Sequence, residues 1–260
     1  MKSALPKQFL LQAGRPVLMH TIERFSSFDP LISLILVLPA EYHDLWRQLC
    51  DEHSFAVSHM VVAGGEERFH SVRAGLECVK SDVARDGLRP EPGQAEAGRS
   101  GADLAEAGRS GAGLAEAGRS GAGLAEAGHT DTDVLIAIHD GVRPLVSHDT
   151  IWWCFSDAEE FGNAVPFIEP ADSVRLLDGD DSRPVSRSEV RLIQTPQVFR
   201  GSVIIKAYDR DFDPSFTDDA TVAEADGVKI HLTHGNRENL KITTPEDLAV
   251  AAALAGMLRQ

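Results

Sequence analysis

Short apolar runs alternate along this chain with longer segments of helical period. Residues 31–38 (LISLILVL), 134–138 (VLIAI), 164–168 (AVPFI) and 229–232 are brief, apolar and rich in β-branched residues, as strands buried on both faces are. Between them the spacing predicts helices over 16–25, 41–53, 66–80, 149–161, 218–226 and 245–258. Strand and helix in turn imply an α/β fold with a mostly parallel sheet flanked by helices. The last helix carries its own start signal. Thr244 can cap it, Pro245 suits the first helical position, and Glu246 and Asp247 favour the positive end of its dipole.

One stretch breaks the alternation. Residues 95–128 repeat a ten-residue unit (AEAGRSGADL, then AEAGRSGAGL twice, then AEAG) with no aromatic or β-branched side chain. Each unit offers a core one Leu and several Ala, and its glycines raise the entropic cost of ordering. The segment reads as a flexible insertion, and the rest of the chain is the size of one α/β domain.

Composition narrows the function classes. With 25 Lys+Arg against 40 Asp+Glu the formal net charge is −15 over 260 residues, which argues against a nucleic-acid partner, so any phosphate site must be local. Cys50, Cys78 and Cys154 are widely separated and odd in number, which fits reduced thiols in the cytoplasm better than a disulfide framework or a zinc site. No apolar run is long enough for a bilayer, and MKSALPKQF lacks the apolar centre of a signal peptide, so neither membrane nor export is expected.

The chemistry is expected where strands end. The run at 134–138 leads straight into His139-Asp140-Gly141-Val142-Arg143-Pro144, at the carboxyl end where open parallel sheets bind ligands. A carboxylate there suits a magnesium ion or a substrate hydroxyl, and a guanidinium forks onto phosphate or a second acid; a plain turn ion pair is the alternative. His139 is assigned a structural place and no proton transfer. In Gly64-Gly65-Glu66-Glu67-Arg68-Phe69-His70-Ser71 two glycines lead into a helix and let backbone amides approach a ligand, although glycine pairs also punctuate ordinary loops. Taken singly, Thr217 in Thr217-Asp218-Asp219-Ala220 reads as a helix N-cap and Lys241 as a solvated lysine.

Together these segments say more. PKQF, GGEERFHSV, HDGVRP, QTPQVF, FTDDA and NLKITTPEDL occur in the order and approximate spacing of the 2-C-methyl-D-erythritol 4-phosphate cytidylyltransferases. The chain resembles that family over nearly all of its length except the repeat. The resemblance implies a Rossmann-like nucleotidyltransferase, a single domain over 1–260, joining CTP to methylerythritol phosphate with release of pyrophosphate in the non-mevalonate isoprenoid route. The substrate phosphate would attack the α-phosphorus directly. Catalysis then comes from positioning and from neutralising charge on the α-phosphate, which calls for lysines, arginines and magnesium.

Carried over by residue, the resemblance makes Lys7 and Lys241 the catalytic lysines at the phosphates. It sets Gly65, Glu66 and Ser71 against the cytidine base and ribose. Asp140 and Arg143 line the substrate side, with Asp140 also a neighbour of magnesium, and Thr195 and Thr217 belong to the methylerythritol phosphate pocket. Ser173 and Arg187 lie toward either end of residues 171–191, which match a dimerisation arm that in the family reaches the neighbouring subunit. The implied assembly is a homodimer, with Arg187 gripping the phosphate of the substrate bound by the other chain. As a bare sequence, LLDGDDSRP within the arm is a polar hairpin turn that needs no function.

The chain departs from the family at its start. Family members open with a strand and a glycine-rich loop that wraps the triphosphate, and this sequence begins at the methionine that ends that motif. A start codon placed at an internal methionine is the expected explanation. If the chain starts here, CTP affinity and turnover are expected to be severely reduced. A missing central strand also leaves two neighbours with unpaired edges. The alternatives are a cytidylyltransferase for another polyol phosphate such as ribitol 5-phosphate, and a non-catalytic paralogue that binds a phosphorylated ligand.

Overall fold

The structure, a computed structural model, describes residues 5–86 and 134–257, so the repeat at 95–128 lies outside the described residues. Apart from the end of one helix, the elements below belong to the unit Met1–Val79 with Thr132–Gln260.

Strands β1 (Leu11–Gln12) and β2 (Arg15–Pro16) form a tight hairpin whose corner puts Gly14 at φ 82°, a conformation glycine adopts without strain. Helix α1 (Val17–Phe28) follows and buries Leu18, Ile22 and Phe25, the i, i+4, i+7 face its sequence spacing anticipates. It runs past residue 25 because Phe28 stacks on Phe155. Asp29 then folds the chain back: its carboxylate accepts from the Leu31 amide at 2.9 Å and its carbonyl from the Ile32 amide at 3.1 Å. That turn consumes the first residues of the apolar run, so strand β3 is Ile35–Leu38 and does not start at 31.

After helix α2 (His43–Glu52), strand β4 (Met60–Ala63) pairs in parallel with β3 and delivers the chain to Gly64 and helix α3 (Arg68–Asp86). Strand β5 (Leu135–Ile138) and helix α4 (His148–Phe161) come next. Ser147 caps α4 through the Thr150 amide at 3.0 Å, and Gly162 ends it at φ 86°. Strand β6 (Asn163–Ile168) precedes a β-ribbon of β7 (Val174–Asp178) and β8 (Asp181–Val185). Strands β9 (Leu192–Ile193) and β10 (Gln197–Arg200), helices α5 (Gly201–Ala207) and α6 (Asp219–Ala225), strand β11 (Leu232–His234) and helix α7 (Pro245–Met257) complete the described chain.

The sheet order is β11-β6-β10-β5, with β9 attached to β6. It is mixed: β11 runs parallel to β6, whereas β10 is antiparallel to both β5 and β6. Successive β10 side chains enter opposite faces, Val198 with Ala164 and Cys154 of α4, Phe199 with Val165, Ile204 and Val222. Each fully buried aliphatic or aromatic side chain there contributes about 1.5–3 kcal/mol. Strand β11 begins later than the apolar run because Asn163 holds the preceding residues with its side chain. Its Nδ2 donates to the Lys229 carbonyl at 3.0 Å and its Oδ1 accepts the His231 amide at 2.9 Å.

Among the described residues, several strands lie at the edge of their sheet. Strand β3 pairs only with β4 and strand β5 only with β10, so each keeps one side without a strand partner.

Candidate active site

Strand β5 ends at Ile138, and the chain turns sharply so that the Arg143 amide donates to the Asp140 carbonyl at 3.0 Å. The Ile242 amide donates to the Val142 carbonyl, also at 3.0 Å, which lays Lys241 beside the same turn. Asp140 therefore sits among three cations. Arg143 Nε and Lys241 Nζ each lie 3.1 Å from Oδ2, and Arg68 Nε lies 3.8 Å from Oδ1. Burial pushes the Asp140 carboxyl up, but Lys241, Arg68 and Arg143 outweigh it and hold it below the usual carboxylate range. Arg143 is fixed a second time by the Asn239 carbonyl at 2.7 Å, while Lys241 keeps 46% of its side chain exposed. An ammonium has three donors, and its remaining ones can turn toward a phosphate.

Thr195 is buried behind this turn. Its Oγ1 accepts the Asp140 amide at 3.1 Å and lies 3.0 Å from His139 Nδ1. His139 Nε2 faces the Arg143 carbonyl at 3.1 Å, which can only accept, so Nε2 carries the ring proton and Thr195 donates to Nδ1. Burial lowers His139 to a pKa of about 4, which keeps the ring neutral and suits its structural assignment. The Thr195 hydroxyl proton is thereby committed to His139. What it can offer a ligand is a lone pair and not a donated hydrogen bond.

On the other side, the Gly65 amide donates to Ser71 Oγ at 3.2 Å, joining two residues that the sequence reading put in one nucleotide pocket. Glycine is required by close approach. A Cβ at Gly65 would lie 2.4 Å from the His70 Cβ, and one at Gly64 would lie 2.8 Å from Ser71 Oγ.

Among the described residues, no hydrogen bond or ion pair ties the remaining expected residues to Asp140. Lys7 is exposed in a 3-10 turn and, among the described residues, forms no ion pair with Asp140. Glu66 and Thr217 are exposed. The N-cap of α6 is Asp218, not Thr217: its side chain accepts from the Thr221 amide at 2.9 Å, and the Thr221 hydroxyl reaches back to close a capping box. Ser173 and Arg187 lie on the exposed ribbon segment, where Arg187 Nη1 donates to the Ala171 carbonyl at 2.8 Å.

Asp140 does not fit the metal neighbour expected of it. Both of its oxygens are already engaged by positive groups, and a divalent ion there would sit against three cations. Among the described residues no group of three or more His, Cys, Asp or Glu side chains could hold a metal ion.

A profile of the family described as 2-C-methyl-D-erythritol 4-phosphate cytidylyltransferase (IspD) matches residues 1–109 and 121–257. The chain belongs to this family. A relative of that name from Bacteroides thetaiotaomicron is 41% identical over 254 residues, covering 98% of this chain and 93% of the relative. One from Bacteroides fragilis is 42% identical with the same coverage. Among solved structures, a 4-diphosphocytidyl-2C-methyl-D-erythritol synthase from Anaerococcus prevotii superposes with a TM-score of 0.68 at 22% identity, over 98% of this chain and 92% of the other. A 2-C-methyl-D-erythritol 4-phosphate cytidylyltransferase from Thermus thermophilus gives 0.64 at 24%, over 98% and 96%. These likenesses establish the α/β fold, and membership makes the chain a nucleotidyltransferase.

Two residues inside the family's motifs escaped the sequence reading. Arg68 forks onto Asp219, Nη1 to Oδ1 at 2.8 Å and Nη2 to Oδ2 at 2.6 Å, and Asp219 has no exposed surface. No local signal named the pair, because the full burial that obliges Asp219 to take a cationic partner is visible only in the fold.

Proposed function

We propose that this chain transfers CMP from CTP to 2-C-methyl-D-erythritol 4-phosphate, giving 4-diphosphocytidyl-2-C-methyl-D-erythritol and pyrophosphate. An oxygen of the acceptor phosphate forms the new bond to the α-phosphorus, and the bond from that phosphorus to the β-phosphate bridge breaks, so pyrophosphate departs with the electron pair. The observation that carries this reading is the gathering of Arg68, Arg143 and Lys241, from three distant segments, on Asp140 at the end of β5. Such fixed cations stabilise charge as it grows on phosphate oxygens, and no enzyme nucleophile is needed.

Lys241, with its exposed ammonium, is the residue we assign to the α-phosphate, and Lys7 joins it from the opposite segment. Gly65, Glu66 and Ser71 hold the nucleoside. Asp140, Arg143, Ser173, Arg187, Thr195 and Thr217 serve the acceptor, Thr195 through a lone pair and through its grip on the Asp140 amide. Magnesium enters with the triphosphate, because Asp140 is already neutralised. The exposed ribbon, with Leu176 and Leu177 open to solvent, supports a homodimer with sites completed in trans. Cys50, Cys78 and Cys154 are not joined by a disulfide, which supports a cytoplasmic setting. The insertion at 95–128 is read as dispensable.

Pyrophosphate release with CTP, magnesium and methylerythritol phosphate tests the assignment, run on this chain and on the chain extended through any in-frame upstream segment. Release that depends on methylerythritol phosphate supports it. Release with ribitol 5-phosphate alone transfers the assignment to that acceptor, and ligand binding without release by either chain refutes catalysis.

A further inference from the structure

A carboxylate with no exposed surface is costly unless every oxygen is used, and Asp219 uses both. Arg68 takes the two oxygens with its two Nη groups at 2.8 and 2.6 Å, and the Tyr208 hydroxyl adds a third bond to Oδ1 at 2.6 Å. The shape of this fork has a consequence. With both Nη groups spent on Asp219, the group that Arg68 turns toward Asp140 is Nε, 3.8 Å from Oδ1.

Arg143 and Lys241 approach the other oxygen, Oδ2. The Asp140 carboxylate is therefore addressed from both sides, and Arg68 is the only one of the three cations directed at Oδ1. Released from Arg68, the carboxylate is free to rotate and offer both oxygens to Arg143 and Lys241, drawing those cations away from a phosphate.

Asp219 itself is rigidly set. It opens α6 directly after the Asp218 cap, and the buried Gln197 of β10 binds both neighbours, donating to Asp218 Oδ2 at 2.9 Å and accepting the Ala220 amide at 2.8 Å. Phe69 stacks on the Tyr208 ring with centroids 4.8 Å apart, which fixes the third member. Asp140, in contrast, is on the turn that meets the acceptor.

We infer that Asp219, held by Tyr208, is a positioning residue that locks the Arg68 fork so that Arg68 orients the Asp140 carboxylate and leaves Arg143 and Lys241 available to phosphate. The inference rests on the site reading given above, because it assigns Asp140, Arg143 and Lys241 their ligands.

Two measurements test it. In the free protein, the Arg68 Nε–H resonance, identified by its loss in Arg68→Lys, is expected to be sharp and slow to exchange, and in Asp219→Asn to exchange at least tenfold faster. In turnover, Asp219→Asn and Arg68→Lys are each expected to lower kcat at least tenfold and raise the acceptor KM, with the CTP KM within twofold. The double variant is expected to lose no more than the worse single one, because both changes break one unit. An Arg68 resonance unaffected by Asp219→Asn overturns the inference, as do kinetic losses that multiply in the double variant. Should Asp219→Asn not fold, Tyr208→Phe reads the same resonance; it is expected to loosen, and an unchanged signal counts against the inference. Lys241→Ala serves as the control: intact turnover there defeats the site reading, whereas the resonance is read without substrate and judges the positioning role alone.

Discussion

The Thr195 hydroxyl donates to Nδ1 of His139 across 3.0 Å, and that bond exists only while the imidazole is neutral. Burial holds His139 near pKa 4, below its ordinary 6.5, against the smaller opposing effects of the Arg143 carbonyl and the Asp140 charge. The folded chain therefore binds fewer protons than the unfolded chain between these values. Stability from this group is full above about pH 6.5 and is lost as pH falls toward 4, by about 3 kcal/mol across the window. Urea denaturation at pH 7, 5.5 and 4.5 is expected to show this slope in the parent and a flatter one in His139→Gln. Equal slopes for the two proteins would remove the histidine from the account.

Lys241 and Asp140 separate catalysis from stability. Lys241 is 46% exposed, and an exposed ion pair is worth about 0–1 kcal/mol, so Lys241→Ala is expected to melt within a few degrees of the parent. Its turnover is expected to fall by about 100-fold or more, because a preorganised cation at the reacting phosphate is lost. Asp140→Asn is expected to lose both, since its carboxylate is only 13% exposed and its removal leaves three cations facing one another. Calorimetry beside the pyrophosphate assay reads the contrast; comparable turnover in Lys241→Ala and the parent removes Lys241 from the mechanism.

The parts legible from sequence were those whose signal is local. The apolar runs at β3, β5 and β6, and the Thr244 cap with Asp247 three residues on, appear much as the pattern implies; the Thr244 hydroxyl accepts the Asp247 amide at 3.3 Å. Strand β10 was not legible, because its buried Gln197 reads as a loop residue until its bonds to Asp218 and Ala220 are known. Its antiparallel course, which makes the sheet mixed, was hidden for the same reason. Strand β4 was not legible because its apolar run is confined to Met60–Ala63, without the extra apolar residues that lengthen the runs at β3 and β5. In the site, Asp140, Arg143 and Lys241 were found through motifs. Arg68 was not, since its partner Asp219 lies 151 residues away and only folding brings the two together.

The glycine pair makes a steric prediction. At Gly65 a methyl group would meet the His70 Cβ at 2.4 Å, an atom close to the backbone that cannot swing aside. Gly65→Ala must therefore shift the loop that leads into α3, at the site assigned to the nucleoside. Overpacking of this kind costs about 1–3 kcal/mol, so a rise in the CTP KM of about tenfold is expected, with the acceptor KM little altered. Steady-state kinetics with each substrate varied in turn measures it, and an unchanged CTP KM would place the nucleoside elsewhere.

The ribbon makes the last prediction. Strands β7 and β8 pair only with each other among the described residues, and Leu177 at their tip is 83% exposed beside the half-exposed Leu176. An isolated two-stranded ribbon is marginal in water, so the second copy proposed to cover these leucines would supply what the ribbon lacks. Leu177→Asp is expected to shift the protein from dimer to monomer in sedimentation velocity, and a parent that already sediments as a monomer refutes the arm assignment. The trans role of Arg187 needs a separate test. Arg187→Ala and Lys241→Ala, each nearly inactive alone, are expected to regain about a quarter of parental turnover when mixed and allowed to exchange subunits. One site of each mixed dimer then carries both intact side chains. If Arg187 acted within its own chain, every site would keep one lesion, and mixing would restore nothing.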